Sequence, residues 1–426
     1  MTTTRRIDLT GTILAVTVPL VVAALLVGIA SLVRPQQPTQ RVVEPVPTQR
    51  SLTCGFSGAP GQLITTGTEV TATTLTGEAV ADPSREGAVR ETLLLNQQGS
   101  RPLTAGVRSQ SSAGLLWAEC QPPATSGAVI IADPATAELL LVNPDRTDAT
   151  VNISLSGATG GIQSPGLRGI VVASTSVVRV PISVHAPAGA PVTATYVASQ
   201  GRVQASARTL TGGPEQVVAS QPQPDSVFAT MPAGSQVRLL LHNPEERRID
   251  VTVELLGPRG RFAPPNGTAS LAPNTTVTMD LTAALQDEPM GLVVTGTGPV
   301  LSMAQTAGSG DIAWILPQSP VTELTDAVPP GTLQIVNPSA GEAAVTLVQV
   351  AAGGAGGSSV TMRIPAGASG EFEVRAAGEV SIVSSVPVAA GVRLSGSGQA
   401  VTRLRASVKE GAVAPGVLDP QLGQRG

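Results

Sequence analysis

Few side chains in this chain could do chemistry, and their spacing narrows which chemistry remains. His185 and His242 are the only histidines in 426 residues, so a Ser-His-Asp triad would have to use one of them. No Gly-x-Ser-x-Gly turn presents a nucleophile. Lys409 is the only lysine and follows Val408, which excludes a Gly-Lys-Ser/Thr phosphate loop, and the same count removes Ser-x-x-Lys nucleophiles. Paired carboxylates are what composition leaves. Asp145 with Asp148, and Glu245 and Glu246 with Asp250, cluster after two Asn-Pro pairs and could bind a cation or do acid-base work. The third equivalent stretch reads Ser339, Ala340, Gly341, Glu342, so the cluster is not carried through and a solvated hairpin tip is the better reading. His242 stands where the sister segments have Val142 and Val336, as a strand-end substitution would, and His185 lies in the loop-like SVHAPAGAP.

Cys54 and Cys120 are the only cysteines, and an even pair in an exported chain reads as a disulfide. Closing a loop of that length contributes about 4 kcal/mol in the chain-entropy picture. Cys54 lies 21 residues beyond Val33, too far from the apolar N-terminal stretch for a lipid-anchored cysteine, and two histidines give no zinc spacing. Neither a cofactor nor a metal is expected. Trp117 and Trp314 sit in similar segments, SSAGLLWAECQPP and GSGDIAWILPQSP, which align as lead-ins to the first and third repeats. A plug at each module junction is favoured over a ligand platform.

What must position these residues is a repeated β unit. LLLVNPDRTDATVNISLSG at 139–157, LLLHNPEERRIDVTVELLG at 239–257 and LQIVNPSAGEAAVTLVQV at 333–350 share Asn143-Pro144, Asn243-Pro244 and Asn337-Pro338, spaced by 100 and 94 residues. Asn tolerates turn conformations and the fixed φ of Pro stops ladder pairing, so each apolar run ends there and an alternating return strand follows, predicting a hairpin with one buried face. The likeness continues through ASTSVVRVPI at 173–182, PNTTVTMDL at 273–281 and AGASGEFEV at 366–374, and through GRVQASAR at 201–208, GPVLSMAQ at 298–305 and VPVAAGVR at 386–393. At least five strands recur in one order, as a sandwich of roughly 100 residues requires. Propeller blades of about 40–50 residues would be half this period.

Gly 46, Pro 36 and only 13% charged residues fit many short strands joined by tight turns. Seven aromatic residues must serve several cores, so Val, Leu, Ile and Ala are expected to fill them. The net charge of −4 argues against a nucleic-acid partner. From Leu9 to Val33 no residue is charged, a length sufficient to cross a hydrocarbon core of about 30 Å. An uncleaved anchor is favoured over a signal peptide, whose apolar region usually runs about 7–15 residues. The expected fold is therefore all-β, an N-terminal transmembrane helix followed by tandem immunoglobulin-like β-sandwich modules. Its parts are a cytoplasmic stub and anchor over 1–33, a Pro-rich linker over 34–50 and a disulfide-closed β region over 51–120. Repeats follow over 121–212, 213–310 and 311–404, then a disordered tail over 405–426.

A single N-terminal span, a Pro-rich spacer, a Cys before the first module, Trp117 shortly before Cys120 and strand–Asn-Pro–hairpin repeats resemble a family of actinobacterial membrane-anchored secreted proteins of unknown function. The resemblance covers Met1 to about Gly396. It implies a cell-envelope location and a gene near that of a membrane glycosyltransferase, and it carries over no active site. The function expected is a non-enzymatic, membrane-anchored extracytoplasmic rod of tandem modules that scaffolds or assists envelope or polysaccharide assembly. Its expected partners are the membrane, an envelope protein such as a membrane glycosyltransferase, and cell-wall polysaccharide. A glycan-binding array or adhesin is the second reading, and a carboxylate-dependent hydrolase the third.

Overall fold

In the computed structural model, which describes residues 50–407 except 67–69, 98–102, 211–214, 235, 286–287, 309 and 353–356, each Asn-Pro ends one strand and the alternating stretch after it begins the next. Ala137–Asn143, Gln236–His242 and Gly331–Val336 lead into the turns, and Ala149–Gly157, Ile249–Gly257 and Ala343–Ala351 leave them. Val251, Val253 and Leu255 face a core while Asp250 and Thr252 face outward, the period of two that one-sided burial demands. The sequence predicts that the two strands pair as a hairpin. They do not: Ala137–Asn143 and Ala149–Gly157 lie in different sheets, and in the other two repeats the two strands pair with separate stretches of one long late strand and not with each other. Proline has no N–H to continue the ladder, so the chain crosses the top of the core to the opposite sheet.

All three repeats share one topology. In one sheet the post-turn strand pairs with a late strand, which also pairs with the opening strand Ser126–Ile131, Gln223–Met231 or Val321–Val328. In the other, the pre-turn strand lies between Ser176–Pro181, Thr276–Asp280 or Ser369–Val374 and the same late segment. In the second and third repeats the late segment is one long strand serving both sheets, Met290–Gly308 and Gly378–Leu394. In the first it is cut into Val192–Gln200 and Gln204–Thr209, and Gly201 takes a φ of 68° in the break. The cores are filled by Val, Leu, Ile, Ala and Met, with Tyr196 and Trp314 in the first and Phe228 in the second.

A short closing strand completes each repeat against the late strand: Gln216–Val218, Asp311–Ile315 and Val401–Arg403. The first two lie beyond the ends expected at 212 and 310, because such short strands show no periodicity of their own. Residues 50–120 are a related unit of two three-stranded sheets, closed by Gly114–Glu119 against Ala105–Ser111. Its core takes in Leu52, Leu63, Leu93, Leu95, Val107 and Leu116 with both cysteines, and Cys54 and Cys120 are joined.

A rod would let each unit touch only its chain neighbours. The described residues, from 50 to 407, instead form one compact body in which the contacts close on themselves. The N-terminal unit touches the first repeat, the first touches the second and the second the third. The third returns to the N-terminal unit through Gln62–Thr65 and Ala105–Ser111 against Val321–Val328. Apolar side chains fill the joints, with Ile64, Leu115, Trp117, Ala327 and Leu394 at one and Val227, Leu256, Val293, Val336 and Ala389 at another. Among the described residues the only α-helix is Thr282–Leu285, and no helix is long and apolar enough to cross a membrane. The expected anchor over 1–33, the linker up to residue 49 and the tail from 408 lie outside the described residues. Arg405, the first residue of the expected tail, is instead held by a buried carboxylate.

Candidate functional site at the junction of the closing strands

The four closing strands converge. Gly114–Glu119 touches each of the other three, and Asp311–Ile315 touches both Gln216–Val218 and Val401–Arg403. Between them lies a cleft of about 30 Å³ lined by Trp117, Glu119, Gln216, Trp314 and Arg403. Trp117 and Trp314 are therefore on the last strands of the N-terminal unit and second repeat, not lead-ins to the units that follow. Both are buried at junctions, as the plug reading expects. Gly106 leaves room for the Trp117 ring, since a Cβ there would fall 2.1 Å from it. The indole N–H groups of both tryptophans and Oε1 of Gln216 find no partner among the described residues.

Buried charged groups also bind the junction. Glu119 accepts from Arg403 Nε at 3.2 Å and Nη2 at 3.3 Å. Arg405 grips Asp326 with Nε and Nη2, both at 2.8 Å, and donates to the carbonyls of Cys120 and Ala105. Burial pushes the Glu119 carboxyl up, but Arg403 and Arg405 outweigh it and hold the group below its ordinary value. For Arg405, burial opposes the charge while Asp326 and Glu119 overcome that penalty and raise it. Asp311 Oδ2 accepts from the N–H of Leu115 and of Gln399, each at 2.9 Å, so one carboxylate of the second repeat ties down two other units. Glu215 Oε2 accepts from Trp314 N–H at 2.9 Å. Burial raises its pKa well above the ordinary value, with Asp311 adding to the rise against the donated hydrogen bonds. At the N-terminal unit's joint with the first repeat, Arg208 pairs with buried Glu138 and donates to Phe56 O at 3.1 Å.

The Asn-Pro residues form a second, repeated constellation. Asn143, Asn243 and Asn337 are all fully buried. Each Nδ2 donates to the carbonyl four residues on, Thr147, Arg247 or Gly341, at 2.7–2.8 Å. It also reaches two carbonyls just ahead of the next strand, Val172 and Ala173, Leu271 and Ala272, or Ile364 and Pro365. Each Oδ1 accepts the N–H two residues on, at Asp145, Glu245 or Ser339. Asn recurs for its amide, which staples the crossover to its neighbour, more than for tolerance of turns. Pro144, Pro244 and Pro338 then direct the chain out of the sheet.

The candidate catalytic residues are spent separately. Asp145 forms a two-point pair with Arg202, Asp148 accepts from Ser174 N–H, Glu245 pairs with Arg247 and Asp250 accepts from Ser270 Oγ. Among the described residues no group of His, Cys, Asp and Glu is arranged to hold a metal. His242 is buried where the first and second repeats meet, its Nδ1 3.2 Å from both Thr275 O and Thr276 Oγ1. Thr276 Oγ1 in turn donates to Ser156 O. Burial lowers the imidazole to about 4, against which the Thr275 hydrogen bond acts. His185 is in a loop, as expected, with Nδ1 2.7 Å from Ser164 Oγ, and no carboxylate orients its ring among the described residues.

The model of a family of unknown function, DUF5719, matches residues 70–375, most of the sequence, and the chain belongs to that family. No curated protein matches it. Among solved structures, a Streptomyces avermitilis α-L-rhamnosidase complexed with L-rhamnose is 9% identical over 84% of this chain, at a TM-score of 0.13. The chain spans 55% of that enzyme's length. A tetra-tandem repeat from the extending region of a large adhesion protein is 12% identical, covering 87% of this chain and 98% of the other, at a TM-score of 0.09. Neither superposition is close enough to carry an argument about this chain.

Proposed function

We propose that this member of DUF5719 is a non-enzymatic, membrane-anchored extracytoplasmic protein that scaffolds or assists cell-envelope or polysaccharide assembly through protein contacts. In this reading residues 1–33 are the anchor and 34–50 the spacer. The described body is a set of immunoglobulin-like β-sandwich modules held outside the membrane, and its partner is an envelope protein such as a membrane glycosyltransferase. The observation that carries it is the convergence of four closing strands. Buried charge that could have served catalysis is consumed in fixing four units into one body, which suits a platform holding several faces in a set relation. The Cys54–Cys120 bond adds support, since such bonds persist in oxidising compartments. The apolar run from Leu9 to Val33 supplies the anchor.

Crosslinking in the native envelope followed by mass spectrometry tests the proposal. A membrane-embedded envelope enzyme captured by the chain, and lost when Asp311→Ala loosens the junction, is the expected result. No envelope protein captured, together with no envelope phenotype on gene disruption, would overturn it. Glycan binding is the second reading, and one surface of the first repeat favours it specifically.

A further inference from the structure

The three repeats close one sheet edge in three ways. In the third, Ala343–Ala351 pairs with Gly357–Ile364 without a break, from Ala343↔Ile364 to Val350↔Gly357. In the second, pairing halts at Leu255↔Phe262 and resumes at Thr252↔Thr268, and Val253 N–H donates to Gly267 O at 2.7 Å across the gap. In the first, pairing halts at Leu155↔Ile162 and resumes only at Val151↔Ile170. Residues 163–169 thus stand off from Asn152, Ile153 and Ser154, and no counterpart of the Val253 bond spans them among the described residues.

This excursion is held in place. Leu167 is buried in the core, Gly169 N–H donates to Asn152 Oδ1 at 2.9 Å, and Ser164 Oγ meets His185 Nδ1 at 2.7 Å. Beside it is a groove of about 480 Å³, within the range of roughly 300–1,000 Å³ that small-molecule sites occupy. Ser154 and Ser156 alternate with the core residues Ile153 and Leu155, so their hydroxyls face the groove. Gln163 and Arg168 join from the excursion, and Asn274, at a φ of 52°, joins from the second repeat. The side chains of Gln163, Arg168 and Asn274 have no partner among the described residues. Elsewhere the chain ties its arginines to carboxylates repeatedly, as at Arg202, Arg261, Arg363 and Arg393, yet no carboxylate lines this groove.

Two free amides and two free hydroxyls suit the hydroxyls of a sugar, and one unpaired guanidinium suits a carboxylate, which its fork can hold at two points. We propose that this groove of the first repeat binds an acidic saccharide, with Arg168 on the carboxylate and Gln163, Asn274, Ser154 and Ser156 on the hydroxyls. The assignment stands apart from the scaffold reading: a scaffold without this site, or this site without a protein partner, is each possible chemically.

Calorimetric titration of the full chain in detergent with trigalacturonate, maltotriose and inorganic phosphate tests it. Saturable binding of trigalacturonate is expected, with maltotriose and phosphate each weaker. Arg168→Ala should weaken it about ten-fold, the scale of one lost charged hydrogen-bond pair, and Arg168→Lys should restore part of it. Arg168 is exposed, so the thermal midpoint should not move in either variant, which separates lost binding from lost fold. No binding of trigalacturonate, unchanged binding in Arg168→Ala, equal binding of maltotriose, or phosphate binding alone would each overturn the assignment.

Discussion

The Asn-Pro crossovers and the closing-strand junction both bury polar groups, but they do so on opposite scales of sequence. Asn143, Asn243 and Asn337 bond to carbonyls within about thirty residues, and the arrangement recurs three times with the same geometry. The junction joins Arg403 to Glu119 across 284 residues and Leu115 to Asp311 across 196, and each bond there occurs once. Repetition marks what every unit needs in order to fold; what differs between units marks how they are joined.

Breaking the junction should produce the largest effect. Arg405→Ala leaves the Asp326 carboxylate, 1% exposed, without its guanidinium and should cost about 3–5 kcal/mol, measured by denaturant unfolding. Removing the disulfide by Cys54→Ser with Cys120→Ser should cost about 2–5 kcal/mol and weaken the Arg405 grip on Cys120 O as well. At a crossover, Asn243→Ala removes the amide's bonds to three carbonyls and one N–H, of which Ala272 O keeps the Thr275 hydroxyl, and should cost about 2–3 kcal/mol. The same change at Asn337 should cost a similar amount if the two staples are equivalent.

Acidification sharpens the contrast further. His242 has a folded pKa of about 4 against an ordinary value of 6.5, so the unfolded chain binds more protons between those limits. Its contribution is full above pH 6.5 and is lost as pH falls toward 4. Glu215 acts with the opposite sign, its raised pKa making stability fall as pH rises above its ordinary 4.5. Glu119, held low, contributes above 4.5 and is lost below. The difference between the native chain and His242→Val, the residue its sister strands carry, isolates the histidine. It should amount to about 1–3 kcal/mol between pH 7 and pH 4.5. A small effect is expected of Trp314→Phe, which removes an N–H with no partner among the described residues and leaves part of the buried indole volume unfilled, at a cost of about 1–2 kcal/mol.

The repeat period, the all-β class and the pairing of Cys54 with Cys120 are legible in the sequence because they rest on local alternation, turn chemistry and a count of two. The position of Asn143 is equally legible, but its role is not, since Val172 and Ala173 carry no mark of being its acceptors. The crossover reads as a hairpin for a related reason: a strand, a proline turn and a second strand look alike whether the strands pair or part. Gln216–Val218 is too short to show a period, so the unit boundary falls early. The likeness of the Trp117 and Trp314 segments is visible, while their meeting depends on the contacts closing on themselves, which nothing local encodes. Arg168 looks like any solvated arginine until the interrupted edge beside Ser154 is seen.

Native-state hydrogen exchange at the Leu115 and Gln399 amides tests the joined body most directly, since both donate to Asp311 Oδ2. Both should exchange only with global unfolding and at the same free energy, and Asp311→Ala should strip protection from the two together. Leu115 exchanging through separate opening of the N-terminal unit, while the second repeat stays protected, would contradict the account.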